Sequence, residues 1–132
     1  MLGETNLSIS LKYMKPILHD GEYVFCSVTH QNTSYLMFDP ICVFREDEGL
    51  TLVLSRECAD ANNISYSSVF RMITLSVHSS LDAVGFLATL TSRLAMHGIS
   101  VNPISAYYHD HLFIPASRLR EAMELLQALS GE

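Results

Sequence analysis

The stretch that decides the fold is FRMITLSVHSSLDAVGF, residues 70–86. Around its first half, apolar side chains favour alternate positions, which predicts a strand over 69–77 with one face in a core. A short polar segment follows, and apolar residues then recur at helical spacing up to Gly98, a residue type that commonly ends helices. The sequence therefore predicts a strand, a short loop and a helix over 81–97.

The start of this predicted helix carries a capping pattern. Ser79 is followed three residues later by Asp82, so both side chains are expected to bond the free backbone N–H groups of the first turn. The pattern is compatible with capping alone. It is also compatible with ligand binding, because a helix N-terminus attracts a carboxylate and Asp82 can accept the ammonium group of the same amino acid.

Gly85 lies within the first turns of the predicted helix. Glycine inside a helix costs about 1 kcal/mol relative to alanine, so we expect a ligand or another backbone to approach closely there. The helix is also apolar over a wide arc, which predicts burial against both its own sheet and a neighbouring unit.

The remaining elements follow from the same patterns. The sequence predicts helices over 5–18, 56–62 and 117–129, strands over 23–28, 50–54, 99–106 and 112–114, and a segment over 35–48 that is irregular and then helical up to Gly49. The order strand, helix, strand, helix occurs twice. This weak internal repeat predicts two small α+β units, residues 1–66 and 67–132, with one continuous core.

Composition restricts the classes of partner. The chain has 132 residues and a formal charge of −6, without a cluster of Lys and Arg, so nucleic acid is not expected as a partner. No apolar run approaches the roughly 18 residues that span a bilayer, so no membrane partner is expected either. The 48% of hydrophobic residues is high for a soluble monomer and favours a homodimer.

Three cysteines, Cys26, Cys42 and Cys58, are spread over the first half of the chain. The N-terminal residues lack the basic and apolar regions of a signal peptide. We therefore expect reduced, buried thiols in a cytoplasmic protein.

Residues 70–106 resemble the ACT domain, in the strand 70–77, the loop 78–85 with its glycine, and Ala95-Met-His-Gly-Ile-Ser before a second strand. The whole chain is similar to stand-alone tandem ACT-like proteins, related to the paired regulatory domains of aspartate kinase. The resemblance implies an α+β fold of two ferredoxin-like βαββαβ units, with antiparallel sheets covered by helices on one face. It further implies a non-catalytic regulatory or sensing protein that binds a small amino acid between ACT units, without a cofactor.

In this family, effectors contact the loop and first turn after the first strand, and the facing second strand. The resemblance carries these positions over to Ser79, Ser80, Leu81, Asp82, Val84, Gly85, Phe86, Asn102 and Ile104. Ala83-Val84-Gly85 replaces the usual Pro-Gly before the helix. No catalytic domain is attached, so a regulated enzyme is expected to be a separate chain.

The sequence His109-Asp110-His111 supports an alternative function. In an extended segment the two histidines point to one face and can share a metal ion, with His78 as a further ligand of a metal-dependent enzyme. No third and fourth ligand occur at a recognisable spacing, and aspartate is a favoured turn residue. We therefore predict a turn at 108–110, at the end of the sheet away from the ligand loop. A pure protein-interaction module without a ligand is the remaining alternative.

Overall fold

The computed structural model describes residues 3, 6–78 and 80–131. Contacts divide the chain into two compact units: Met1–Asp20 with Arg71–Glu132, here called the larger unit, and Gly21–Phe70, the smaller unit. The N-terminal segment thus packs with the C-terminal half. The boundary between residues 66 and 67 was drawn from the repeat in the sequence and stays a prediction.

The elements follow one another in a mixed α+β order. In chain order they are α1 (Leu7–Tyr13), β1 (Pro16–Leu18), β2 (Tyr23–Val28), a 3-10 helix (Thr33–Phe38), β3 (Cys42–Arg45), β4 (Leu50–Ser55), α2 (Arg56–Ala61), β5 (Phe70–Leu75), α3 (Phe86–Met96), β6 (Asn102–Ser105), β7 (Asp110–Pro115), a 3-10 helix (Ala116–Arg118) and α4 (Leu119–Leu129).

The larger unit contains strands in the order β1–β5–β7–β6. Strand β1 is antiparallel to β5, and β6 is antiparallel to β7. Alternate residues of β5 and β7 point toward helices α3 and α4, because successive strand residues face opposite sides of a sheet. The buried cluster between these layers includes Ile73, Leu75, Leu112 and Ile114 from the strands and Phe86, Leu90, Leu94, Ala122 and Leu126 from the helices.

The smaller unit contains the antiparallel strands β3–β4–β2 and the short helix α2. Its buried residues come mainly from β2 and β4, where the core-facing side chains occupy alternate positions. The cluster is Val24, Cys26, Leu50, Leu52, Leu54 and Ala59. The strands predicted over 23–28, 50–54 and 69–77 are confirmed in both units, with ends shifted by one or two residues.

The predicted helix over 5–18 is too long. Helix α1 ends at Tyr13, Lys15 has a positive φ of 32°, and Pro16 begins strand β1. Proline disfavours the helical conformation in the preceding residue, so the apolar pattern continues past Tyr13 without a helix.

The predicted helical end of 35–48 is wrong. Strand β3 pairs there with β4, and a tight turn joins them through hydrogen bonds between Glu46 and Gly49. Gly49 is therefore a turn residue and not a helix cap. Its lack of a side chain is required, since an added Cβ would lie 2.6 Å from the carbonyl oxygen of Val28.

A candidate ligand cavity at the start of helix α3

Helix α3 begins at Phe86, five residues later than the sequence predicts. Gly85 occupies the N-cap with φ 90° and ψ −11°, a left-handed conformation that glycine adopts without steric cost. The first helical hydrogen bond runs from Thr89 N–H to the Gly85 carbonyl, at 2.9 Å. No side chain in the described part of the chain caps this helix, so the N–H groups of residues 86–88 stay open to another acceptor.

The predicted capping box does not start the helix. Ser80 and Asp82 form a separate turn, in which Ser80 Oγ accepts the Asp82 N–H at 3.1 Å and the Ser80 carbonyl accepts the Ala83 N–H at 3.0 Å. Ser79 lies outside the described residues. The predicted helix start at this capping pattern is wrong, because the described residues of the pattern form a turn that precedes the helix.

A cavity of about 160 Å³ lies directly in front of this helix start. It is bounded by the loop and first turn on one side and by the β6–β7 hairpin on the other. Its lining residues are Ser80, Leu81, Ala83, Gly85, Phe86, Leu87, Ala88, Ser105 and Asp110.

The structure brings four of the predicted ligand residues into this lining: Ser80, Leu81, Gly85 and Phe86. Four others do not line it. Asp82 and Val84 point outward as exposed residues of the loop, and Asn102 and Ile104 lie farther back along β6.

Ser105 and Asp110 also line the cavity, although neither is among the predicted ligand-binding residues and Asp110 was considered only for the metal alternative and a turn. The side chain of Asp110 is only 8% exposed, and its Oδ1 accepts a 2.6 Å hydrogen bond from Ser105 Oγ. A signal for Asp110 was present: it shares the strand alternation of Leu112 and Ile114, which point toward the helices.

The β6–β7 turn lies beside the ligand loop, so its predicted position at the opposite end of the sheet is wrong. The Ala106 N–H donates to the His109 carbonyl at 3.0 Å and closes the turn. The rings of Tyr107 and Tyr108 lie 6.4 and 5.4 Å from the ring of His78, which belongs to the loop after β5. The turn spans 106–109, and Asp110 is the first residue of β7.

The histidines of this hairpin have other contacts. The rings of His109 and His111 are 6.4 Å apart, and His111 Nδ1 lies 2.8 Å from Thr74 Oγ1. Burial, and then the proximity of His109 and His19, lowers the pKa of His111, while Asp110 acts in the opposite direction. Within residues 3, 6–78 and 80–131, no group of three or more His, Cys, Asp and Glu side chains is arranged to hold a metal ion.

Two family models match the chain in tandem. Both describe an ACT domain, one over residues 2–71 and the other over residues 67–128. The chain belongs to the ACT-domain family. The predicted α+β fold of two ferredoxin-like ACT units is thereby confirmed, and ACT membership supports a regulatory, ligand-binding role.

Solved structures agree with this ACT assignment. A protein of unknown function from Vibrio cholerae, described as a possible transport protein, is 44% identical, with a TM-score of 0.85 over 94% of this chain and 95% of its own. An Agrobacterium tumefaciens protein is 17% identical, with a TM-score of 0.69 over 87% of each chain. The regulatory subunit of aspartate kinase from Thermus flavus is 9% identical, with a TM-score of 0.60 over 86% of this chain and 95% of its own, which shows a shared fold.

No curated protein matches the chain. Across the described residues, the helices of this ACT protein are too short or too polar to cross a membrane.

Proposed function

We propose that this protein is a non-catalytic ACT regulator or sensor that binds a small amino acid in the cavity before α3. The observation that carries the proposal is one cavity that joins open helix N–H groups to a buried carboxylate. An α-amino acid carries a carboxylate that suits the helix N–H groups and an ammonium group that suits the buried carboxylate.

The carboxylate of the ligand is matched by the start of α3. The N–H groups of residues 86–88 precede the helical ladder, and the positive end of the helix dipole adds to their attraction for an anion. Gly85 lines the cavity directly before these groups.

The ammonium group of the ligand is matched by Asp110. A carboxylate that is 8% exposed is costly unless a cation or several donors compensate it, and Ser105 supplies one hydrogen bond. We therefore propose Asp110 for the role that the sequence suggested for Asp82. Asp82 is exposed and does not line the cavity.

The cavity volume favours a small ligand. An engineered cavity of about 150 Å³ holds benzene, a molecule of six heavy atoms. About 160 Å³ therefore suits an amino acid with a short side chain, and a longer side chain would extend past the exposed rim at Leu81.

The same rim supports the homodimer that the composition suggests. Leu81 is 64% exposed and Val84 is 85% exposed, so apolar surface surrounds the mouth of the cavity. We propose that an ACT unit of a second copy covers this rim and completes the site. A separate enzyme, in the same cytoplasmic compartment, would then sense occupancy through the dimer.

The test is thermal unfolding of the intact chain with each proteinogenic amino acid. A ligand that binds only the folded state at about 100 times its Kd stabilises by about 2.7 kcal/mol, which raises Tm by several degrees. The amide and the deaminated analogue of the active amino acid should have no effect, since each lacks one charge. If no amino acid raises Tm, the proposal is wrong.

A matched pair of variants assigns the ammonium site. We expect Asp110→Asn to weaken binding at least tenfold, or about 1.4 kcal/mol, and Asp82→Asn to leave the affinity unchanged. Equal losses in both variants would point to a general effect of charge and would contradict the role of Asp110. Light scattering with and without ligand tests the dimer.

A further inference from the structure

The Thr74 hydroxyl lies between two histidine rings on the sheet face away from the cavity. Thr74 Oγ1 is 2.6 Å from His19 Nε2 and 2.8 Å from His111 Nδ1, and Thr74 is 8% exposed. Ile73 and Leu75, its neighbours on β5, point into the helix-covered core, so Thr74 faces the other side. We call His19, Thr74 and His111 the histidine relay.

The hydrogen bonds of the relay limit how many of its two histidine rings can be protonated. A threonine hydroxyl donates one hydrogen and accepts through its lone pairs, so one imidazole nitrogen accepts from Thr74 while the other donates to it. This arrangement survives when one of the two rings gains a proton. When both rings are protonated, both nitrogens are donors, and the buried hydroxyl hydrogen loses its acceptor.

Charges around His111 also oppose its protonation. The His109 ring lies 6.4 Å from the His111 ring, and burial, followed by the proximity of His109 and His19, lowers the pKa of His111. Asp110, next to His111 on β7, acts in the opposite direction and favours the charged form of His111. A doubly protonated relay therefore combines repulsion with an unsatisfied buried hydroxyl.

The relay also joins the N-terminal segment to strand β5 within the larger unit. Strand β1 pairs with β5 through only three residues, and the His19 N–H extends the ladder to the Met72 carbonyl at 3.0 Å. At the other end of β1, Ser76 Oγ donates to the Met14 carbonyl at 3.0 Å. The hydrogen bond between the His19 ring and Thr74 is therefore a further contact that holds the end of β1 on β5.

The N-terminal segment also lies beside a residue that lines the cavity. Helix α1 precedes β1, and Leu7 Cδ2 would lie 3.8 Å from a Cβ placed on Gly85, the N-cap of α3.

We propose that the histidine relay is a proton-sensitive clasp, which holds β1 on β5 while at most one ring is protonated and loosens it when both are. His19, Thr74 and His111 do not line the cavity, so the clasp is a different site from the proposed ligand cavity. The pairing of β1 with β5 therefore depends on pH in the range where histidines titrate.

Nuclear magnetic resonance of the intact, 15N-labelled chain tests the clasp. At about pH 8 we expect one of the two nitrogens that face Thr74 to carry a hydrogen and the other to carry none. Between about pH 8 and pH 5, hydrogen-exchange protection of the His19 amide should fall about tenfold or more, after correction for intrinsic exchange. The Ile99 amide, which donates to the Leu94 carbonyl at 3.0 Å, lies outside the clasp and should change less.

Variants test whether the Thr74 hydroxyl and a titrating ring at position 19 are each required. Thr74→Ser keeps the donor and acceptor and should keep the pH-dependent loss of protection, whereas Thr74→Val should make protection low at every pH. His19→Gln retains a hydrogen-bonding group without a titrating one and should abolish the pH dependence, which keeps the test decisive if Thr74→Val does not fold. Independent titration of both rings, or equal protection of the His19 amide at both pH values, would overturn the proposal.

Discussion

Ser105 and Asp110 face each other as a residue pair at the end of the β6–β7 hairpin, where the Ser105 hydroxyl donates a 2.6 Å hydrogen bond to Asp110 Oδ1. The bond fixes a buried carboxylate at the wall of the cavity, opposite the start of α3, for which the described residues supply no side-chain cap. One wall therefore carries an oriented negative charge and the other carries open donors. This opposition distinguishes the cavity from an ordinary surface cleft.

Removal of the Ser105 hydroxyl tests how strongly the fold depends on this bond. We expect Ser105→Ala to lower the free energy of unfolding by about 1–3 kcal/mol at neutral pH, because the buried carboxylate loses its donor. Urea unfolding measures the loss. Ser100→Ala, at an exposed position between α3 and β6, is the control and should change stability by less than about 0.5 kcal/mol. Equal effects of Ser105→Ala and Ser100→Ala would mean that water replaces the Ser105 hydroxyl as the donor to Asp110.

Gly85 is required for its conformation. At φ 90° an alanine adopts a strained backbone, although the space around its Cβ is open to ordinary contact with Leu7. We expect Gly85→Ala to cost about 1–2 kcal/mol and Gly85→Asn to cost less, since asparagine tolerates the left-handed region better. Thermal and urea unfolding compare the two variants. A loss that is equal in both would indicate that side-chain size, and not φ, limits this position.

The strands could be predicted where one local pattern determines them. β2, β4 and β5 have alternating apolar residues that face a core, so their positions follow from the sequence alone. Strand β1 could not be predicted in this way. It has three residues and forms by pairing with β5, so residues far away along the chain determine it.

The lining of the cavity could be predicted only in part. The resemblance to the ACT domain predicts Gly85 and Phe86 as ligand-binding residues, whereas the capping pattern of Ser79 and Asp82 predicts a start of α3 that is too early. Asp110 has a chemical type that favours a turn. Its alternation with Leu112 places it on the cavity side, and only the folded hairpin brings it close to the helix start.

Arg118 connects the end of α3 to the start of α4. Its guanidinium donates to the carbonyl oxygens of His97 and Gly98 at 2.9 and 3.2 Å and pairs with Glu121 at 2.6 Å. We expect Arg118→Ala to cost about 1–2 kcal/mol, because the carbonyl groups of the two residues that follow α3 lose charged donors.

The control for this prediction is Arg120, which is 95% exposed and pairs with Glu124 at 3.5 Å. Exposed pairs of this kind contribute little, so Arg120→Ala should change stability by less than about 0.5 kcal/mol. Urea unfolding of both variants under one set of conditions compares the carbonyl contacts of Arg118 with the exposed ion pair of Arg120. If the two losses are equal, the carbonyl contacts of Arg118 do not stabilise the helix junction.

His111 makes stability depend on pH in a defined direction. Burial lowers its pKa in the folded state below the ordinary value of 6.5, so the unfolded chain binds the proton first as pH falls. Stability from this group is complete above about pH 7, declines as pH falls through the ordinary value, and stops declining once the folded form is protonated as well. We expect His111→Gln to reduce the slope of the unfolding free energy against pH. The reduction should be at most the contribution of one bound proton. His97→Gln, at an exposed ring at the end of α3, is the matched control. A wild-type curve that rises toward low pH, or one that His111→Gln leaves unchanged, would contradict the role of His111.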